Sequence, residues 1–272
     1  MVPVAGVAVF ALSMAERGPF YGHWLPENIN EHGGVIDELY YFIMYLTGVI
    51  FAGTGIALFW FLWKYDSYRN RGPVQFTHGS HTLEVVWSIL PAATLLFIAI
   101  YQMNAWADHK MRRPVFDIGP DLEEGTADDV YQEPLAQVTG RQFEWPIRYA
   151  HPGADGRPGT VDDYFFTVND LHVPVNEDVV LQIESQDVLH SFFLPHLRVK
   201  QDVVPGMKQF VWFNANRTGV YDIVCAELCG WGHYKMKGRL TVQSRTDFDR
   251  WLAEQYMEQQ RTQLPPPSAA EE

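Results

Sequence analysis

Residues 225–236 read CAELCGWGHYKM and hold the only two cysteines of a 272-residue chain. Three readings compete for them: a disulfide, a zinc clip and a copper centre. Within twelve residues lie the thiols of Cys225 and Cys229, the imidazole of His233 and the thioether of Met236. The methionine discriminates, because a thioether is a poor zinc ligand and suits copper. Spacing constrains the shape. On a straight strand the two cysteines would stand about 13 Å apart, at about 3.3 Å per residue. They therefore need a bent loop, which Gly230 and Gly232 permit. Two thiolates point to two bridged metal ions, and two ions need a second imidazole from elsewhere in the chain. The preferred candidate is His190 in SQDVLHSFFLPHLRVKQDVVPG, at the end of a strand-like run; His172 and His196 compete on spacing.

Around this loop the chain breaks into short β-rich runs: YFFTV (164–168), DVVLQIES (178–185), QFVWFNAN (209–216), GVYDIVCAEL (219–228) and GRLTVQS (238–244). Turn residues separate them, the pattern of an antiparallel sandwich or barrel. After them DFDRWLAEQYMEQQ puts Phe248, Trp251, Leu252 and Tyr256 near helical spacing, so residues 247–272 read as a C-terminal helix and tail.

Upstream the composition changes. Residues 40–63, YYFIMYLTGVIFAGTGIALFWFLW, carry no charge; as a helix they rise about 36 Å, enough for a bilayer. Residues 85–107, VVWSILPAATLLFIAIYQMNAWA, are likewise uncharged, and Pro91 is tolerable in a membrane helix. A two-helix transmembrane hairpin is expected over 39–108, with a loop at about 64–84. Charge counts on the flanks nearly tie. The segment 1–38 is acidic before the first helix, and Lys64, Arg69 and Arg71 follow it. With the first helix deciding, the loop is cytoplasmic, and 1–38 and the β domain at 109–246 are extracytoplasmic. The apolar stretch at residues 2–15 lacks a basic flank and is read as retained.

The formal charge of −13 argues against nucleic acid as a partner and favours a cationic protein. Two acidic Gly-rich loops, GPDLEEGTADD (119–129) and GADGRPGTVDD (153–163), repeat G-x-D-x-x-x-G-T-x-D-D. Asp121, Asp128 and Asp129, or Asp155, Asp162 and Asp163, are candidate calcium ligands; neither loop has EF-hand spacing, and a hydrated loop is the alternative.

From the first helix to Met236 the chain resembles cytochrome c oxidase subunit II. The motif C-x-E-x-C-G-x-x-H-x-x-M, preceded by D-V-x-H-S-F/W-x-x-P, is present at every position. The resemblance implies a membrane hairpin carrying a cupredoxin-like domain with a dinuclear CuA centre. Cys225 and Cys229 would bridge two coppers, His190 and His233 would each cap one, and Met236 and the Glu227 carbonyl would be weak ligands. The Glu227 carboxylate would reach a magnesium ion shared with subunit I. LEVVWSILPA matches the start of the family's second helix, so Glu84 would sit at the mouth of a proton pathway. Electrons would come from a c-type cytochrome and pass to haem in subunit I, where oxygen is reduced to water with proton pumping. This chain itself would make no bonds. Subunit III and membrane lipid are further expected partners, and a bacterial-type inner membrane with a periplasmic domain is the expected location.

Two positions depart from the family. Its G-x-Q-W-x-W stretch reads GRQFEW here, so Phe143 holds the usual electron-accepting position and Trp145 the second. An arginine expected after Pro205-Gly206 is Met207. Asp187 and the acidic exterior still fit a basic haem protein. A shifted route or a membrane-bound or supercomplex donor therefore stays open. Rival readings are a quinol oxidase subunit II, which lacks the copper ligands, nitrous oxide reductase, which would need a further large domain, and a membrane-anchored copper chaperone without an oxidase role.

Overall fold

In the computed structural model, the described residues are 12, 24–66, 68, 72–73, 76, 78–118, 129–150 and 164–263. The chain divides into two compact units, one of residues 1–26 and 35–107 and one of residues 27–34 and 108–272.

The first unit contains helix α1 (Gly34–Lys64) and helix α2 (His81–Tyr101), whose mean hydropathies reach 2.0 and 2.1. Neither buries a residue within the chain, so their apolar surface is left for lipid or for other subunits. α1 starts ahead of the expected residue 39. α2 starts at His81, where the Ser80 hydroxyl accepts from the Leu83 amide as an N-cap, and it keeps Pro91 inside. Glu84 lies in its first turn, half-exposed and 4.0 Å from His81 Nδ1. Helix α3 (Met103–Lys110) follows. The hairpin and the all-β sandwich are the architecture expected from sequence.

Strands of the second unit are β1 (Val115–Asp117), β2 (Val130–Tyr131), β3 (Ala136–Gly140), β4 (Pro146–Ala150), β5 (Tyr164–Val168), β6 (Asp170–Pro174), β7 (Asp178–Ser185), β8 (His190–Leu194), β9 (Val199–Val203), β10 (Gln209–Asn214), β11 (Gly219–Cys225) and β12 (Lys237–Gln243). They form a β1-β2 ribbon and two five-stranded sheets, β10-β7-β3-β4-β5 and β6-β12-β11-β8-β9. Pairing is antiparallel except for β3 with β7 and β6 with β12. Alternation along β3 and β12 turns Val138, Leu240 and Val242 inward, where they meet Ile147, Leu181, Ile183, Phe192 and Ile223 in one core. Helix α4 (Arg245–Gln263) begins just before the expected 247. It adds Phe248 and Tyr256 to that core, and Trp251 packs edge-on against Tyr149 and Phe165.

One feature was not foreseen. Residues 27–34, just before α1, belong to the β unit. Ile29 is fully buried, its N–H donates to the His196 carbonyl and its carbonyl accepts from Asn216. The Asn30 amide donates to the Leu197 carbonyl and its oxygen accepts from the Asn214 N–H. The chain thus leaves the β unit into α1 and returns to it after α2.

Candidate metal centre

Three segments converge at one end of the sandwich. β8 opens with His190, which the β9 register sets opposite Val203. β11 ends at Cys225, opposite Phe192. The chain then turns through Glu227, Cys229 and Gly230 into a single 3-10 turn at His233–Lys235, and Met236 leads into β12. Backbone bonds close the loop: the Cys225 N–H donates to the Met236 carbonyl at 3.1 Å, and the Ala226 N–H donates to Ser191 at 3.0 Å.

Within this fold the six predicted ligand residues meet. The two sulfurs stand 3.9 Å apart and both cysteines are free; a disulfide requires about 2.05 Å. His190 Nδ1 lies 3.9 Å from Cys225 Sγ, His233 Nδ1 3.8 Å from Cys229 Sγ, and Met236 Sδ 3.7 Å from Cys229 Sγ. The Glu227 carbonyl oxygen is 3.2 Å from Cys225 Sγ. His190, Cys225, Cys229 and Met236 are buried. The competing histidines are elsewhere: His172 stacks on Trp251 at 3.8 Å and His196 lies against Tyr221 at 5.0 Å.

Electrostatics fit a cation in this cluster. Burial opposes ionisation of both thiols. At Cys225 hydrogen bonding, led by His190 and joined by the Ser191 and Glu227 backbone and His233, outweighs burial and holds the thiol below its ordinary range, whereas burial and the nearby Cys225 sulfur push Cys229 up. One sulfur ionises readily and the second is penalised by the first; a soft cation between them removes that penalty. With two sulfurs, two imidazole nitrogens, a thioether and a carbonyl in one buried cluster, the residues fit a copper pair.

A supporting layer surrounds the ligands. Asp187 Oδ1 lies 2.7 Å from His190 Nε2 and fixes the ring, leaving Nδ1 for the cluster. Burial would raise the Asp187 carboxyl, but hydrogen bonds from the Gln142 amide and from His190 hold it below its usual range. Burial likewise works against a charged His190, and Cys225 and Asp187 overcome it, raising that imidazole. Gln142 is the link that sequence reasoning missed. Its N–H donates to Asp187 Oδ2 at 2.7 Å, and its side-chain amide donates to the Cys229 carbonyl. One residue of GRQFEW therefore ties both ligand loops together. At the start of that stretch a Cβ on Gly140 would lie 3.0 Å from the His190 ring and 3.3 Å from Trp145, crowding both.

The two aromatic candidates differ in placement. Trp145 has 0% exposure and packs edge-on against His190 at 5.9 Å and Phe192 at 5.3 Å. Phe143 is half-buried and lies against the ligand loop, so close that a Cβ on Gly232 would fall 2.5 Å from its ring. Met207 is exposed. Of the acidic repeats, Asp121, Asp128, Asp155, Asp162 and Asp163 lie outside the described residues; Asp129 alone is among them. The retained N-terminal stretch at residues 2–15 also lies outside them, apart from Leu12.

The family model "Cytochrome C oxidase subunit II, periplasmic domain" matches residues 139–243, and "Cytochrome C oxidase subunit II, transmembrane domain" matches residues 32–105. The alternative cytochrome c oxidase subunit 2 of Bradyrhizobium diazoefficiens is 36% identical over 140 residues, covering 44% of this chain and 50% of that protein. Cytochrome c oxidase subunit 2 of Cereibacter sphaeroides is 30% identical over 238 residues, covering 78% of this chain and 73% of that protein. Among solved structures, the periplasmic domain of subunit II of cytochrome oxidase from Bradyrhizobium japonicum has 30% identity and a TM-score of 0.38, covering 45% of this chain and 93% of that one.

Proposed function

The chain belongs to the cytochrome c oxidase subunit II family and is part of a membrane-anchored haem-copper oxidase complex, and from that premise we propose that its buried cluster is a dinuclear copper electron relay. Cys225 and Cys229 would hold the two ions between them, with His190 and His233 as the imidazole ligands and Met236 and the Glu227 carbonyl as weak ones. When bound, the copper pair would supply one-electron redox chemistry, taking an electron from a c-type cytochrome and passing it on to haem in subunit I. There oxygen is reduced to water and protons are pumped. The chain's own residues hold the site closed. No ligand position is left for substrate, so no bond is made or broken on this chain.

The observation that carries this reading is the pair of free sulfurs 3.9 Å apart, with one imidazole nitrogen near each. It also separates the proposal from a quinol oxidase subunit, which has no use for the ligand set. The Glu227 carboxylate is half-buried while its carbonyl meets the cluster, which supports a role as magnesium ligand shared with subunit I. Glu84, in the first turn of α2, is the proton-uptake residue at the cytoplasmic mouth, with the β unit in the periplasm of a bacterial inner membrane. In the purified complex, Cys229→Ser should abolish the near-infrared mixed-valence absorption. An unchanged band refutes the bridging assignment.

A further inference from the structure

The position that receives electrons in the family's aromatic motif is Phe143 here, and its ring is covered. Trp231 lies over it, edge to face, with ring centroids 5.1 Å apart and planes at 67°. Trp231 itself is 80% exposed. Its sequence position is also notable: it stands two residues from Cys229 and two from His233, between Gly230 and Gly232. An indole held out into water costs apolar exposure, and an isolated turn does not need one. Leu228 and Tyr234, on the same loop, are exposed too. The copper ligands of this segment are thus interleaved with outward apolar side chains, Leu228 before Cys229, Trp231 before His233 and Tyr234 after it.

Resting on the electron-relay reading, we propose that Trp231 is the residue through which this chain accepts electrons, and that Leu228, Trp231 and Tyr234 form the apolar seat for the exposed haem edge of a c-type cytochrome. A flat porphyrin edge matches a flat indole, and an exposed tryptophan amid apolar neighbours is the usual anchor of such a contact. The chain's charge of −13 favours a basic partner over an acidic one. In the transfer one electron leaves the ferrous haem iron, which becomes ferric, and reduces the metal pair held by Cys225 and Cys229 by one unit. No bond forms or breaks and no proton moves. Phe143 acts as a positioning residue, bracing the indole from beneath.

The test uses the purified oxidase complex with two probes. Zinc-porphyrin cytochrome c, which is redox-silent in the dark, reports docking by quenching of its emission. Ascorbate-reduced cytochrome c in a stopped-flow instrument reports the rate of copper reduction. Trp231→Ala should weaken docking and slow copper reduction, each about tenfold or more, with the near-infrared copper band unshifted. Trp231→Phe should recover most of both. Val220→Ser, which removes an exposed apolar side chain on β11 outside the loop, should change neither. Docking and reduction unaffected by Trp231→Ala would overturn the proposal. So would failure of N-bromosuccinimide to modify Trp231 in the complex, because the surface would then be a contact with another oxidase subunit. Absence of the copper band in the unsubstituted complex would instead refute the electron-relay reading.

Discussion

Asp187 shows how much the cluster of sulfurs and imidazoles depends on residues outside it. It holds His190 by Nε2 and receives the Gln142 amide, so it couples the GRQFEW stretch to the β8 ligand. Asp187→Asn keeps the shape and removes the charge that orients and polarises the imidazole. Copper affinity should fall about 10- to 100-fold. Chelator competition on the purified complex measures it, and an unchanged affinity would show that the ring is fixed by packing alone. At this scale the clustered residues were readable in the sequence, because Cys225, Cys229, His233 and Met236 share one short stretch. Gln142 was not readable, because its two partners, Asp187 and Cys229, are 45 and 87 residues away; the first meets it through the parallel β3–β7 pairing and the second only once the two sheets are stacked. Trp231 stood in plain view between two glycines, but exposure is a property of the fold.

Among the elements, the strands and the two apolar helices follow from alternation and length. Their edges do not. α1 begins at Gly34 because the residues before it are committed to the sandwich: Asn30 bridges Ala215, and its side chain spans the Leu197 carbonyl and the Asn214 amide. Nothing in the acidic run EHGGVIDEL announces that contact, which joins residues 167 and 184 positions apart. Asn30→Ala leaves a buried carbonyl and a buried N–H unpaired, at a cost of about 1–3 kcal/mol. The thermal midpoint for loss of the copper absorption should therefore drop relative to the unsubstituted complex. A midpoint that does not move would show that water replaces the amide. α4 is the counterexample, a helix whose spacing of Phe248, Trp251 and Tyr256 foretold the face it packs on the sandwich.

For the whole molecule, the proposed function divides labour between the units: the hairpin would anchor the chain and supply a proton-uptake carboxylate, and the sandwich would hold the electron relay. The two functions should separate by mutation. Glu84→Ala should slow the proton uptake that accompanies haem reduction and leave the reduction of copper by its donor unchanged. A pH-indicator stopped-flow experiment checks the first and near-infrared absorption the second; unaltered turnover and proton uptake would remove Glu84 from the pathway. The central claim is that Cys225 and Cys229 hold two copper ions as one electron carrier. Electron paramagnetic resonance of the oxidised complex tests it most directly. The account predicts hyperfine structure from one unpaired electron shared equally by two copper nuclei, lost in Cys229→Ser. Hyperfine structure from a single copper nucleus, or a disulfide between Cys225 and Cys229 with no copper signal from this chain, would contradict it.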